Sequence, residues 1–198
     1  MSTVTFDGGF ADPVFASQDV FHAVMHAVSR PGTVATLGER AAGPAPLNAA
    51  ASAILLTLAD YDTPVWIEAS DAMQDVAAWL TFHSGAPIAQ EPSKASFVLL
   101  TEASDVAQWQ TFTHGTMEYP DRSATLILPV RSINGGASLE LTGPGIETSC
   151  TIAPAGLPEG FVGAMEANAA RYPLGFDILL VCGAEAIALP RMTRIREV

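Results

Sequence analysis

His22 and His26 stand four residues apart. On a helix that spacing puts two imidazoles on one face, where they could grip a metal ion. Such a site needs a third ligand, and Arg30 on the same stripe would repel a cation. The stripe of Asp19, His22, His26 and Arg30 therefore reads as a polar helix flank held by contacts between Asp and His. Phe21, Val24, Met25 and Val28 form a separate apolar stripe.

The stretch from Gly115 to Ser123 is a second place for chemistry. Glu118, Tyr119, Asp121 and Arg122 gather there, just before an apolar run. Loops carried by a rigid sheet are where binding groups usually sit, so these residues could hold a ligand or make an interface ion pair. Asp and Pro are also standard turn residues, and a turn set by Tyr119-Pro120 explains the same composition. Asp177 lies one residue into a strongly apolar run. A carboxylate buried there needs a partner, and Arg171, Arg191 or a helix N-terminus could supply it. That reading makes Asp177 half of a structural ion pair. Arg191, Arg194 and Arg196, with Glu197 beside them, read as a solvated tail that could also meet an acidic partner or a phosphate. Gly143-Pro144-Gly145 reads as a tight connection, because proline removes one of the N–H groups an anion cradle would use.

Common catalytic signatures do not occur. There is no phosphate loop, no G-x-G-x-x-G opening a helix, no H-E-x-x-H and no G-x-S-x-G. Lys94 is the single lysine, and its polar neighbours Gln90, Glu91 and Ser93 predict a solvated side chain rather than a Schiff-base former. No catalytic residue, metal site or cofactor is expected from these residues.

These groups need elements to carry them. Ser17 reads as the cap of a helix that Pro31-Gly32 stops after Arg30. A second helix is predicted over Leu47–Ala59 and a third from Ser70 or Asp71 to about His83. A helix capped by Ser104 runs through Phe112, and a helix opened by Pro158 lasts to about Arg171. Strands are predicted at Val65–Ile67, Ser96–Thr101, Ser123–Val130 (Pro129 implying an edge or bulge), Leu139–Thr142 and Phe176–Cys182. Ala186–Leu189 could pair with that last strand. Leu139–Thr142 is predicted to form a hairpin with the strand before it across Asn134-Gly135-Gly136. Helices alternating with continuous apolar strands indicate an α/β/α sandwich with a mixed sheet in one domain over residues 1–198.

Composition narrows the class. Hydrophobic residues make up 49% and charged residues 15% of the 198. An ordinary soluble domain carries about 25% charged residues. Surface so poor in charge is characteristic of subunit interfaces, which predicts an oligomer. The net charge of −12 argues against nucleic-acid partners. Cys150 and Cys182 sit in apolar runs without a C-x-x-C and read as buried thiols. The N-terminus lacks the pattern of a signal peptide, and the longest apolar run, within 48–59, is too short to cross a bilayer, so the expected location is the cytoplasm.

A set of short segments in a fixed order carries a resemblance. It starts with Gly9-Phe10, Asp12-Pro13-Val14, Ser17-Gln18, Phe21, Met25 and Ser29-Arg30-Pro31-Gly32. It continues with Leu58-Ala59-Asp60, Asp62-Thr63-Pro64-Val65-Trp66, Phe82-His83-Ser84-Gly85-Ala86-Pro87, Gly115-Thr116, Tyr119-Pro120 and Ser123-Ala124-Thr125. It closes with Leu141-Thr142-Gly143-Pro144-Gly145-Ile146, Pro173-Leu174-Gly175-Phe176-Asp177 and Leu189-Pro190-Arg191. Together they resemble the PhnH family of the bacterial carbon–phosphorus lyase system for phosphonate use. The resemblance implies a reduced pyridoxal-phosphate transferase fold that has lost its cofactor site. It implies a homodimer that joins the sister subunits PhnG, PhnI and PhnJ. Their complex joins a phosphonate to the ribose of ATP with loss of adenine. Catalysis is assigned to the sister subunits, so no catalytic residue carries over. Members of the family often place Arg where this chain has His22, and a mostly neutral imidazole is a poor substitute at a phosphate.

Overall fold

The computed structural model describes residues 6–198. Two apolar layers on a central sheet dominate it, and each follows from a period of two along the strands. The sheet has six strands: β1 (Val34–Thr36), β2 (Val65–Ile67), β3 (Phe97–Leu99), β4 (Thr125–Pro129), β7 (Asp177–Cys182) and β8 (Glu185–Leu189). Their order is β1-β8-β7-β4-β3-β2. Strands β2, β3, β4 and β7 run parallel, whereas β8 is antiparallel to β7 and β1 antiparallel to β8. The sheet is mixed, as the sequence predicts.

On one face Leu99, Ile127, Leu179, Val181, Ala186 and Ala188 meet three helices. These are α1 (Pro13–Ser29), α2 (Ala49–Leu58) and α3 (Gln74–Ser84). On the other face Val98, Leu126, Leu128, Ile178, Leu180 and Ile187 meet Trp109, Phe161 and Met165. Phe161 and Met165 belong to α4 (Phe161–Ala169). That second face also takes Leu139, Leu141, Ile152 and Ile195 from a separate antiparallel sheet of order β6-β5-β9. Its strands are β5 (Leu139–Thr142), β6 (Cys150–Ile152) and β9 (Arg194–Glu197). The expected helical cover is thus complete on one side only; on the other a small sheet shares the work with α4.

Several expectations are corrected. The hairpin between β4 and β5 does not form. The chain leaving β4 pairs instead with residues 153–155, through Arg131 N–H and Ser132 N–H to the Ala155 carbonyl and Gly136 N–H to the Ala153 carbonyl. That frees β5 to pair with β6 and β9. Helix α1 starts at Pro13, and Asp12, not Ser17, is its cap: the carboxylate accepts from the Phe15 N–H at 3.4 Å, and proline suits the first turn. The buried face of α1 is Ala16, Val20, Val24 and Ala27, so Phe21 and Met25 face solvent. The segment expected as a helix from Ser104 is a 3-10 turn over Val106–Thr111 capped by Asp105. Ser104 is buried and accepts the Trp109 indole N–H at 3.1 Å. Pro129 pairs with Val181 of β7 but lies past the last β3–β4 pair, Leu99 with Ile127, so that end of the strand is open on its β3 side, as the proline predicts. Arg194 and Arg196 are strand residues of β9, and Arg196 is paired with Glu140 at 2.7 Å, so they form no free tail. Both cysteines are half-buried rather than buried.

Candidate functional site

Asp177 opens β7, and β4 starts beside it, so Thr125 and Asp177 are register partners at the amino ends of the two central strands. Arg191 follows β8 and returns to that corner. Its main-chain N–H reaches Asp177 Oδ1 at 2.8 Å, and its Nε reaches the same oxygen at 3.2 Å. One terminal nitrogen donates to Asp177 Oδ2 at 2.5 Å and to Ser123 Oγ. The other donates to the Pro120 carbonyl at 2.7 Å. Of the partners the sequence allows for Asp177, the structure selects Arg191. Arg171 instead donates to Gln110 Oε1.

The Gly115–Ser123 loop is closed on itself above this pair. Thr116 and Tyr119 exchange main-chain hydrogen bonds at 3.1 Å, and Arg122 N–H donates to the Tyr119 carbonyl. Gly115 has φ +79°, and a Cβ there would sit 2.7 Å from the Pro120 carbonyl oxygen, so glycine is required. Arg122 lies over the Tyr119 ring at 4.0 Å. Glu118, Tyr119, Asp121 and Arg122 are all exposed, and among the described residues Glu118 and Asp121 form no ion pair. The structure therefore brings Arg191, Asp177 and the stem of this loop together but leaves the tip pointing to solvent.

His114 lies in the same corner and was missed from sequence. Its ring packs on Phe176 at 5.6 Å, and its Nε2 is buried with no hydrogen-bond partner. Burial, reinforced by Arg171 and Arg191, pushes its pKa below the ordinary histidine value, while the Phe112 carbonyl pulls the other way. Behind it Asn168 is fully buried and brackets Phe176, accepting from its N–H at 3.0 Å and donating to its carbonyl at 2.8 Å.

The His22–His26–Arg30 stripe lies elsewhere, on exposed α1. Asp19 pairs with Arg40 at 2.8 Å rather than with a histidine. Arg30 donates to His26 Nε2 at 2.9 Å. No group of three potential metal ligands is gathered among the described residues. Lys94 is solvated and paired with Glu91 at 2.8 Å. Burial raises the Cys150 thiol above its usual pKa, and its Sγ contacts the Pro31 carbonyl at 3.4 Å.

Two of the concavities are lined by groups that could meet a ligand. One, about 490 Å³, lies beside the small sheet and is lined by Arg131, Glu159 and Glu197 among glycine-rich loops. The other, about 340 Å³, sits outside the carboxyl ends of β3 and β4. Leu47, Met73, Leu99 and Pro129 make its walls, with Asn48, Thr101 and Glu102 at its polar points. In open sheets with parallel strands, ligands bind in the crevice at that end. Glu68, one residue past β2, shapes this rim: one carboxylate oxygen accepts the Thr101 N–H and hydroxyl, each at 2.7 Å.

Residues 8–196 match the family described as bacterial phosphonate metabolism protein (PhnH). The chain belongs to the PhnH family. It is 40% identical over 190 residues to a Rhizobium meliloti (strain 1021) protein named alpha-D-ribose 1-methylphosphonate 5-triphosphate synthase subunit PhnH, covering 96% of this chain and 95% of that one. It is 31% identical over 178 residues to HtxG of Stutzerimonas stutzeri, whose name places it with C–P lyase subunit proteins, covering 90% and 85%. Set against the PhnH resemblance, the corner built by Asp177 and Arg191 falls on two of the segments that carry it, Pro173–Asp177 and Leu189–Arg191. The cavity rim does not: Leu47, Met73, Thr101 and Glu102 come from scattered segments with no shared motif.

Proposed function

We propose that this chain is a subunit of the bacterial carbon–phosphorus lyase machinery in organic phosphonate catabolism, and that it serves the synthesis of ribose 1-phosphonate 5-triphosphate as a non-catalytic member of the assembly. The observation that carries the reading is the nearly end-to-end match to a relative named as a subunit of that synthase. The Asp177–Arg191 cluster supports it: every Arg191 nitrogen is turned inward onto Asp177, Ser123 or Pro120, which makes it a brace for loops. The partners are a second copy of the chain and the sister subunits PhnG, PhnI and PhnJ, in the cytoplasm. No helix among the described residues is long and apolar enough to cross a membrane. A strain lacking this gene is expected to fail on methylphosphonate as its only phosphorus source, with normal growth on phosphate. Normal growth on methylphosphonate would overturn the reading.

A ligand-holding role is the second reading, favoured by the cavity of about 340 Å³ at the carboxyl end of the sheet. Calorimetry with ATP and with methylphosphonate distinguishes it: heat that disappears in Thr101→Trp supports the role, and no heat removes it. Descent from a pyridoxal-phosphate transferase fold fits the mixed sheet, and a residual enzyme of that kind would have to use Lys94. An absorbance scan after adding the cofactor tests that idea, and no aldimine band sinks it.

A further inference from the structure

The cavity of about 340 Å³ lies where topology would place an anion: outside the carboxyl ends of β3 and β4, against the first turn of α2. Its hydrogen bonds oppose that use. The N–H groups that open α2 are already taken. Ala50 N–H donates to the Gly183 carbonyl at 2.8 Å, Ala51 N–H to Asn48 Oδ1 at 2.8 Å and Ser52 N–H to the Asn48 carbonyl at 3.0 Å. Asn48 turns its amide nitrogen onto the Val181 carbonyl at 3.3 Å. Thr101 gives its one hydroxyl hydrogen to Glu68 at 2.7 Å, so its oxygen offers only lone pairs to anything else. No Lys, Arg or His lines the cavity.

What these side chains have left is acceptor capacity. Thr101 Oγ1 keeps its lone pairs, and Asn48 Oδ1 keeps one. Glu102 adds an exposed carboxylate to the lining, and it forms no ion pair among the described residues. A neighbouring concavity of about 500 Å³ shares Ser70 and Met73 with the first and adds Glu68 and Asp71, again with no cation in its lining. The walls are apolar: Ala51 and Leu99 are 1% exposed and Met73 5%, and all three line the cavity. Fixed acceptors, a carboxylate and apolar walls complement one chemistry, a positively charged hydrogen-bond donor on an apolar body. A volume near the lower limit of ligand sites keeps that body small. The net charge of −12 draws a cation in and disfavours an anion.

We infer that this cavity is a binding site for a small primary ammonium with an apolar body. The inference goes beyond the ligand-holding reading above, whose ligands are anions. The test is calorimetry of the full chain with two probes of similar shape and opposite charge, phenethylammonium and 3-phenylpropionate. The ammonium is expected to bind about tenfold more tightly than the carboxylate. Its heat is expected to vanish in Thr101→Trp, which fills the cavity. Equal affinities, tighter binding of the carboxylate or no ammonium heat overturn the assignment, and so does ammonium heat that persists in Thr101→Trp. Glu102→Lys covers the case in which the tryptophan prevents folding, because Glu102 is exposed. It is expected to weaken the ammonium about tenfold and to strengthen the carboxylate; an unchanged preference overturns the site. Methylphosphonate and ATP separate this site from the ligand-holding reading. Heat from either that is lost in Thr101→Trp supports that reading and overturns the ammonium site. No heat from either, with ammonium heat that Thr101→Trp removes, supports the ammonium site and removes the other reading.

Discussion

Arg191 holds Asp177 through its main chain and its side chain together, with three of its nitrogens on the two oxygens of one carboxylate. The remaining terminal nitrogen goes to the Pro120 carbonyl. One residue therefore ties the start of β7, the chain after β8 and the Gly115–Ser123 loop. Arg191→Ala strands a carboxylate that is only 31% exposed and frees the loop stem. Because the pair retains some solvent, a loss of about 2–3 kcal/mol is expected in urea unfolding. Arg191→Lys keeps the charge but not the fork, and about half the loss is expected to remain.

Asn168 offers a cleaner test of an uncharged brace. It satisfies both main-chain groups of Phe176 from a site that is 1% exposed. Asn168→Ala leaves an N–H and a carbonyl buried without partners, at an expected loss of about 2–4 kcal/mol. Asn168→Asp is expected to lose nearly as much, because a carboxylate cannot donate to the Phe176 carbonyl. Urea midpoints at pH 7.5 read both.

His114 makes stability depend on pH with a definite sign. Its pKa is lowered on folding, so the folded state resists a proton that the unfolded state accepts. As pH falls below the ordinary histidine value near 6.5, the unfolded chain gains that proton first and stability drops. The drop ends once pH passes below the folded pKa. Above about pH 7.5 the residue contributes no slope. Unfolding midpoints between pH 7.5 and 5 are expected to fall in wild type and to fall less in His114→Gln. Equal slopes would show that His114 does not titrate this way.

Glu68 anchors the cavity rim. Glu68→Ala removes the acceptor for both Thr101 donors, and about 1.5–3 kcal/mol is expected to go with it. Thr101→Val keeps the main-chain bond and is expected to cost about half as much. Thermal unfolding of the two variants side by side gives the order.

The fold's centre was legible because β4 and β7 are continuous apolar runs, which is how a strand covered on both faces must read. The pairing of β5 was not. A glycine-rich turn on one side of β5 advertises a hairpin, but the local partner is β6, across the turn on its other side, and the second partner, Arg196 beside Glu140, lies far along the chain. Strands β1, β6 and β9 span only three or four residues, too few to show a period. The Asp177–Arg191 pair could be anticipated because a half-buried carboxylate demands a cation, but sequence could not choose Arg191 over Arg171. The apolar faces of α1 show the opposite difficulty. Periodicity picks the stripe of Phe21, Val24, Met25 and Val28, yet the smaller side chains Ala16, Val20, Val24 and Ala27 are the ones inside. The cavity was invisible because its lining comes from several separate segments that only the sheet brings together.

The short edge strands carry one more consequence. β1 and β2 close the large sheet with three residues each, and β6 gives the small sheet a three-residue rim. A row that brief offers few free N–H and carbonyl groups to a foreign strand. A charge-poor chain made in quantity faces a standing hazard of stacking into fibrils through its sheet edges, and here that route is blunted before any partner arrives. What such a protein can safely leave sticky is a helix side, whose side chains select their mate by shape, rather than backbone that will join any extended chain.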